Sequence, residues 1–317
     1  MGGAVGACGK KSAGGIALSL CQRYFFFTRA CVDFGPVCLE FARFTHDIED
    51  THTQEGAQTM ANFDQNRMNA GATVRGDASI DQGLRSYMLS VYNYMAGGLA
   101  ITGVIAYVVA QMAVATTPDA VAVTLGNGVA LTSFGATLYL SALRWVVLLA
   151  PLGVVFLISA RIAKMSVSGA QTAFWVFAGL MGLSLSSIFL IYTGASITQT
   201  FFVTAIAFGG LSLYGYTTKR DLTAMGSFLI MGVIGLIVAM VVNIFLQSSA
   251  LQFAVSVLGV LIFAGLTAYD TQKIKEMYYV ADSAATAAKK AIMGALSLYL
   301  DFINMFMFLL QFMGNRR

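Results

Sequence analysis

Charge is scarce in this chain. Of 317 residues, 11% are charged and 57% hydrophobic, and the mean hydropathy is +0.74. A soluble domain carries about 25% charged residues. The composition therefore excludes an ordinary soluble fold and points to a bilayer. The net charge of +4 is small and dispersed, which argues against nucleic acid as a partner. In a membrane protein, basic residues report orientation before they report partners.

Cysteine and histidine are confined to one end. All four cysteines (Cys8, Cys21, Cys31, Cys38) fall in the first 38 residues, and both histidines (His46, His52) in the first 52. A metal site is conceivable from these residues, but they form no CxxC or HxxxH pair. From Met60 onward neither residue type occurs. A disulfide framework would need an extracellular segment, and Lys10, Lys11, Arg23, Arg29 and Arg43 weigh against that. The break reads as an N-terminal extension over 1–59 that need not belong to the native product, with Met60 or Met68 as the natural start. A polar tail over 60–85, suited to an interaction segment, leads into a membrane domain over 86–317.

Seven apolar stretches near 20 residues follow, the length that crosses about 30 Å of hydrocarbon. They fall at about 87–114, 143–160, 170–192, 197–216, 225–246, 251–270 and 291–312. Glycines recur inside them; they permit close helix approach in lipid, and glycine is equally a common residue of membrane helices. The uncharged stretch 120–143 could be an eighth span by hydropathy, but charge parity decides otherwise. Basic residues precede span one (Arg67, Arg75, Arg85) and follow span two (Arg161, Lys164), span four (Lys219, Arg220) and span six (Lys273, Lys275, Lys289, Lys290). With seven spans all four clusters share one side, the cytoplasmic side by the positive-inside bias. An eighth span would break that, so 120–143 reads as an outer loop and the N-terminus as cytoplasmic. Arg144, beside Trp145, reads as an interfacial anchor, and Arg316 and Arg317 fall on the outer side. The expected class is an all-α, multi-pass plasma (inner) membrane protein.

An ionisable residue inside a span costs roughly 2.5–3.5 kcal/mol on insertion scales and is a functional hypothesis by default. Asp301 is the clear case, ten residues into span seven. Gly294, Ser297, Asp301, Asn304 and Gln311 share one helical face by their spacing. Such a stripe must face other helices or a hydrated path; hydrogen bonding between helices would account for the serine and asparagine, less readily for the aspartate. Asp270 ends span six and is its candidate partner. Taken alone, Asp270 would pass for an interfacial residue paired with Lys273 or Lys275. Two carboxylates held close share a proton rather than carry two charges, and a nearby arginine such as Arg161 opposes that sharing. A depth question stands against the pair. Asp270 is three residues from Lys273, whereas Asp301 is 11 past Lys290, about 16 Å of helix. The pair meets if span seven begins early, through 284–291, or if span six is sunk with its lysines snorkelling.

LIFAGLTAYDTQKIK (261–275) and ALSLYLDFINMFMFLLQF (295–312) resemble the signature of the Bax inhibitor (transmembrane Bax inhibitor motif) family in its bacterial branch, over about residues 80–317. The resemblance implies seven transmembrane helices, the last central and surrounded by the other six. It implies a pH-sensitive passive calcium leak, with the aspartate pair falling on Asp270 and Asp301 and a basic latch on Arg161. Two carboxylates are too few for a tight metal site, since calcium takes six to eight oxygen ligands; they would be weak contacts for a permeant cation, and no cofactor is called for. The connection 271–290 is longer than the resemblance leads one to expect. A second reading, also from the family, is a regulatory protein that binds a membrane-anchored ATP-dependent protease. An intramembrane aspartyl protease would likewise use two aspartates on adjacent helices, but it needs Gly-x-Gly-Asp on the second, and Asp301 stands in Tyr299-Leu300-Asp301.

Overall fold

The structure, a computed structural model, describes residues 66–126 and 128–316, with side chains described from Gln82 onward. The extension over 1–59 lies outside the described residues. The helices are α1 (Asn66–Ala113), α2 (Ser133–Leu140), α3 (Leu143–Arg161), α4 (Val167–Leu185), α5 (Ile188–Ile191), α6 (Gly194–Thr217), α7 (Thr223–Leu246), α8 (Ser249–Glu276) and α9 (Ala284–Met313). Seven of the described helical segments are long and apolar enough to cross a membrane: the Gln82–Ala113 part of α1, α3, α4 with α5, α6, α7, α8 and α9. α1 begins inside the polar segment 60–85, so part of that tail is a helical extension of the first crossing.

Local chemistry sets the helix ends. The first N–H groups of a helix have no partner within it, and a Ser or Thr at the N-cap supplies one. Ser166, Thr193, Ser248 and Ser283 do so for α4, α6, α8 and α9, each accepting the backbone N–H three residues on. At α7 the Asp221 carboxylate accepts the Thr223 N–H at 2.8 Å. Its hydrogen bonds to Thr223 hold the Asp221 carboxyl below the usual range.

The third crossing is broken, where the sequence reads as continuous. α4 ends at Leu185 and α5 resumes at Ile188. At the break the Ser186 hydroxyl donates to the Leu183 carbonyl and Ser187 to Ser184. Serines that bond back to the preceding turn loosen the helical ladder.

The stretch after α1 does not cross. It makes a 3-10 turn at Pro118–Ala120, an antiparallel pair β1 (Val123–Thr124) with β2 (Ala130–Leu131), and α2. α2 is docked on the bundle. Gly135 lies against the Ala113 carbonyl, and the Tyr139 hydroxyl shares a 2.7 Å hydrogen bond with Ser186.

α9 is the core of the bundle. In its most apolar window 83% of residues are buried, against 22% to 56% for the other six crossings. It packs mainly against α8, α1, α6 and α4; α3 leans on α4, and α7 on α8. The last helix is thus central, with four neighbours in direct contact and two in an outer layer. Rings wedge it in place: Tyr299 against Phe177 at 5.3 Å, Phe302 against Phe208 at 5.5 Å, and Phe308 stacked on Phe263 at 6.0 Å.

One close approach needs glycine. At Gly215 of α6 an added Cβ would run into the backbone carbonyl of Ala268 in α8, whereas at Gly209 of the same helix it would meet nothing within 4 Å. Alanine at an open helical site is favoured over glycine by about 1 kcal/mol, while overpacking costs about 1–3 kcal/mol. Gly209→Ala should therefore raise the thermal midpoint in detergent, and Gly215→Ala should lower it.

Candidate functional site: a buried carboxylate pair in a hydroxyl-lined seam

Asp301 is wholly buried and Asp270 is 4% exposed. Burial removes Asp270 from the exposed interfacial position that its neighbours in sequence suggest. Those neighbours make contacts of their own. Lys275 donates to the Tyr216 carbonyl at 2.9 Å and lies over the Tyr216 ring, and Lys273 lies over the Tyr269 ring.

The helical hairpin resolves the depth question. α8 runs on past Asp270 to Glu276, and α9 begins at Ala284. The connection is therefore 277–283, far shorter than the 271–290 expected from hydropathy. Ser283 caps α9, and Lys290 pairs with Asp282 at 2.6 Å and bonds the Met277 carbonyl. Polar residues that read as loop are thus the first turns of the central helix.

Two registers place the carboxylates. In the hairpin, an added Cβ on Gly294 would sit 3.0 Å from Ile274, and one on Gly259 would sit 2.6 Å from the Phe308 ring. Interpolating between these contacts puts Asp301 level with Thr267, three residues from Asp270, or about 4–5 Å along the axis. α6 provides a separate ruler. Ser212 meets Thr271 at 3.0 Å and Tyr216 meets Lys275, which levels Asp270 with Leu211. Phe208 meets Phe302, which levels Asp301 with Gly209. By this measure the offset is about 3 Å. The two acids occupy the same depth to within one helical turn.

Arg161 is not brought to them. It is exposed at the end of α3 and lines a cavity of about 500 Å³ with Ala160, Lys164 and Met165. The adjoining turn is tied to the start of α9, where Lys289 donates to the Ala163 carbonyl at 3.1 Å. Asp301 lies 12 residues further along α9, about 18 Å. The predicted polar stripe of α9 is buried over most of its length. Gly294 faces Ile274, Ser297 is half-buried, and Asn304 is 1% exposed and donates to the Leu300 carbonyl at 2.8 Å. The buried Oε1 of Gln311 has no hydrogen-bond partner among the described residues.

Two polar clusters escaped the sequence reading. Tyr92 of α1, Ser212 of α6 and Thr271 of α8 form a hydroxyl chain, 2.6 Å and 3.0 Å, which ends where Thr271 donates to the Thr267 backbone carbonyl at 2.7 Å. This chain adjoins Asp270 in sequence and in depth. Higher in the bundle the Tyr299 hydroxyl shares a 2.7 Å hydrogen bond with Thr102, which donates to the Ala178 carbonyl at 2.9 Å. The i, i+4 spacing of Thr267 and Thr271 is the signal that could have disclosed the first cluster. Nothing in sequence links Thr102 to Tyr299, 197 residues away.

At the end opposite the basic loops, the segment after α9 is strapped across the α5–α6 junction. Thr193 donates to the Asn315 carbonyl at 3.1 Å, Asn315 donates to the Ser196 hydroxyl at 3.0 Å, and Arg316 lies over the Tyr192 ring at 6.0 Å.

Fold and site define an all-α, multi-pass membrane protein built around a polar central helix. The chain belongs to the Bax inhibitor family: a family model described as inhibitor of apoptosis-promoting Bax1 matches residues 84–317. An uncharacterized protein of Caulobacter vibrioides is 50% identical over 244 residues, covering 77% of this chain and 94% of the relative. An uncharacterized protein of Rickettsia prowazekii is 47% identical over 245 residues, covering 77% and 96%. Inner membrane protein YbhL of Escherichia coli is 46% identical over 237 residues, covering 74% and 94%.

Replacing a buried hydrogen-bond partner costs about 1 kcal/mol. Tyr299→Phe should destabilise the bundle by about that amount in detergent. A double-mutant cycle with Thr102→Val should show positive coupling between the two.

Proposed function

We propose that the protein is a passive, pH-sensitive leak for calcium or similar cations, with Asp270 and Asp301 as its proton-sensing and ion-handling pair. The observation that supports this is two buried carboxylates at one depth, on helices packed against each other in the core of a membrane bundle. Carboxylate oxygens suit a hard cation. A buried pair resists holding two negative charges, so its proton occupancy follows pH and alters the charge a cation meets. Two such ligands hold a cation loosely enough for release, as conduction requires.

In this reading the basic loops face the cytoplasm, in keeping with the inner-membrane name of the Escherichia coli relative. Arg161 stands at the cytoplasmic mouth as the latch. In this conformation Arg161 is exposed at the end of α3.

The test is calcium flux against pH for the purified protein in proteoliposomes. Asp270→Asn and Asp301→Asn should each change the flux and flatten its pH response. Parent-like leak from both variants at every pH would overturn the reading.

A further inference from the structure

α6 turns a row of hydroxyls to the bundle interior. Its buried residues are Ser196, Thr200, Thr204, Phe208, Ser212 and Gly215. All but the last are spaced four apart, and four of the six carry hydroxyls. The four hydroxyl residues are 7%, 1%, 0% and 3% exposed, in chain order. The outward face carries Phe202, Ile206 and Leu213, each at least 60% exposed. α7, a helix of equal length, has the ordinary pattern, with Leu229, Val233, Leu236 and Met240 among its buried residues. In lipid, Ser and Thr commonly face inward and bond between helices; the row on α6 stands apart in running beside the helix that carries Asp301.

The row runs along the contact of α6 with α9; the Thr204 hydroxyl donates to the Thr200 carbonyl at 2.7 Å, which leaves its oxygen able to accept. Phe208, in the same row, packs on Phe302, the residue after Asp301. Thr204 lies about 7–8 Å beyond the level of Asp301, and Ser212 about 4–5 Å on its basic side. At the basic end the row joins Tyr92 and Thr271 through Ser212. At the other end it finishes at Ser196, under the strap from Asn315. The buried Oε1 of Gln311, without a hydrogen-bond partner among the described residues, is level with the stretch between Ser196 and Thr200. Neutral oxygens thus continue from the acids to the far end, where α9 offers no further carboxylate.

We propose that the α6 row Ser196, Thr200, Thr204 and Ser212 is the second wall of the permeation path, whose neutral hydroxyl oxygens replace water around a divalent cation moving between the carboxylate pair and the end opposite the basic loops. This rests on the leak reading above. A divalent cation needs six or more oxygens; two carboxylates with a hydroxyl ladder supply them in sequence without fixing the ion in one place. The row is sealed in this conformation, so opening the path parts α6 from α9.

The experiment uses the full chain in proteoliposomes, with calcium flux measured at acid and neutral pH. Thr204→Val and Thr200→Val keep the volume and remove one oxygen each. Each should lower the flux about tenfold at both pH values, with the midpoint of the pH response unmoved. Thr204→Ser should conduct like the parent, and so should Thr198→Val, on the exposed side of α6. Thermal midpoints in detergent check that every variant is folded. Parent-like flux from folded Thr204→Val and Thr200→Val, while Asp301→Asn still alters the flux, would overturn the hydroxyl wall and leave the leak standing. A parent protein that passes no calcium at any pH would overturn the leak reading, and the wall with it.

Discussion

A carboxylate in the middle of a membrane helix cannot face lipid, and much of this bundle follows from hiding Asp301. Hydrocarbon offers no hydrogen bonds and little charge stabilisation, so the helix that carries the acid has to be enclosed by protein. α9 is enclosed more completely than any other crossing. Its neighbours then divide by task. α1 and α4 hold it through the Tyr299–Thr102 hydrogen bond and the rings of Phe174 and Phe177. α6 and α8 face it with hydroxyls and with Asp270. α3 and α7, which touch it least, present ordinary apolar faces and complete the outer layer.

Much of this was legible in the sequence, because membrane topology is written in gross terms. Spans of about 20 apolar residues and the parity of Arg161, Lys164, Lys219, Arg220, Lys273 and Lys275 set the seven crossings. They also kept 120–143 out of the bilayer. Asp301 stood out because an acid in an apolar run is costly. What hydropathy could not give was where a helix starts in polar sequence. Residues 284–291 look like loop, yet Ser283 caps a helix there, and that early start is what brings Asp301 level with Asp270.

The row on α6 was missed for the opposite reason. α6 is the least apolar of the seven crossings, but a windowed average does not show that its four hydroxyls share one buried face. Only the contrast between what α6 buries and what it shows to lipid makes the row visible. That contrast needs the positions of α8 and α9. Arg161 marks the other limit. Its place at the end of α3 was legible, but not that the turn beside it is tied to α9 about 18 Å along the axis from Asp301.

The order of synthesis adds a constraint of its own. α9 leaves the ribosome after the six helices that enclose it. Until it arrives, the inward faces of α1, α4, α6 and α8 have no centre to close on, and the hydroxyls of α6 lie in the bilayer without their partner surface. The surfaces that enclose the acid are thus completed only by the last helix to be made. A helix that enters last and is gripped mainly by rings and single hydrogen bonds is also the one the cage can release by small movements of its walls.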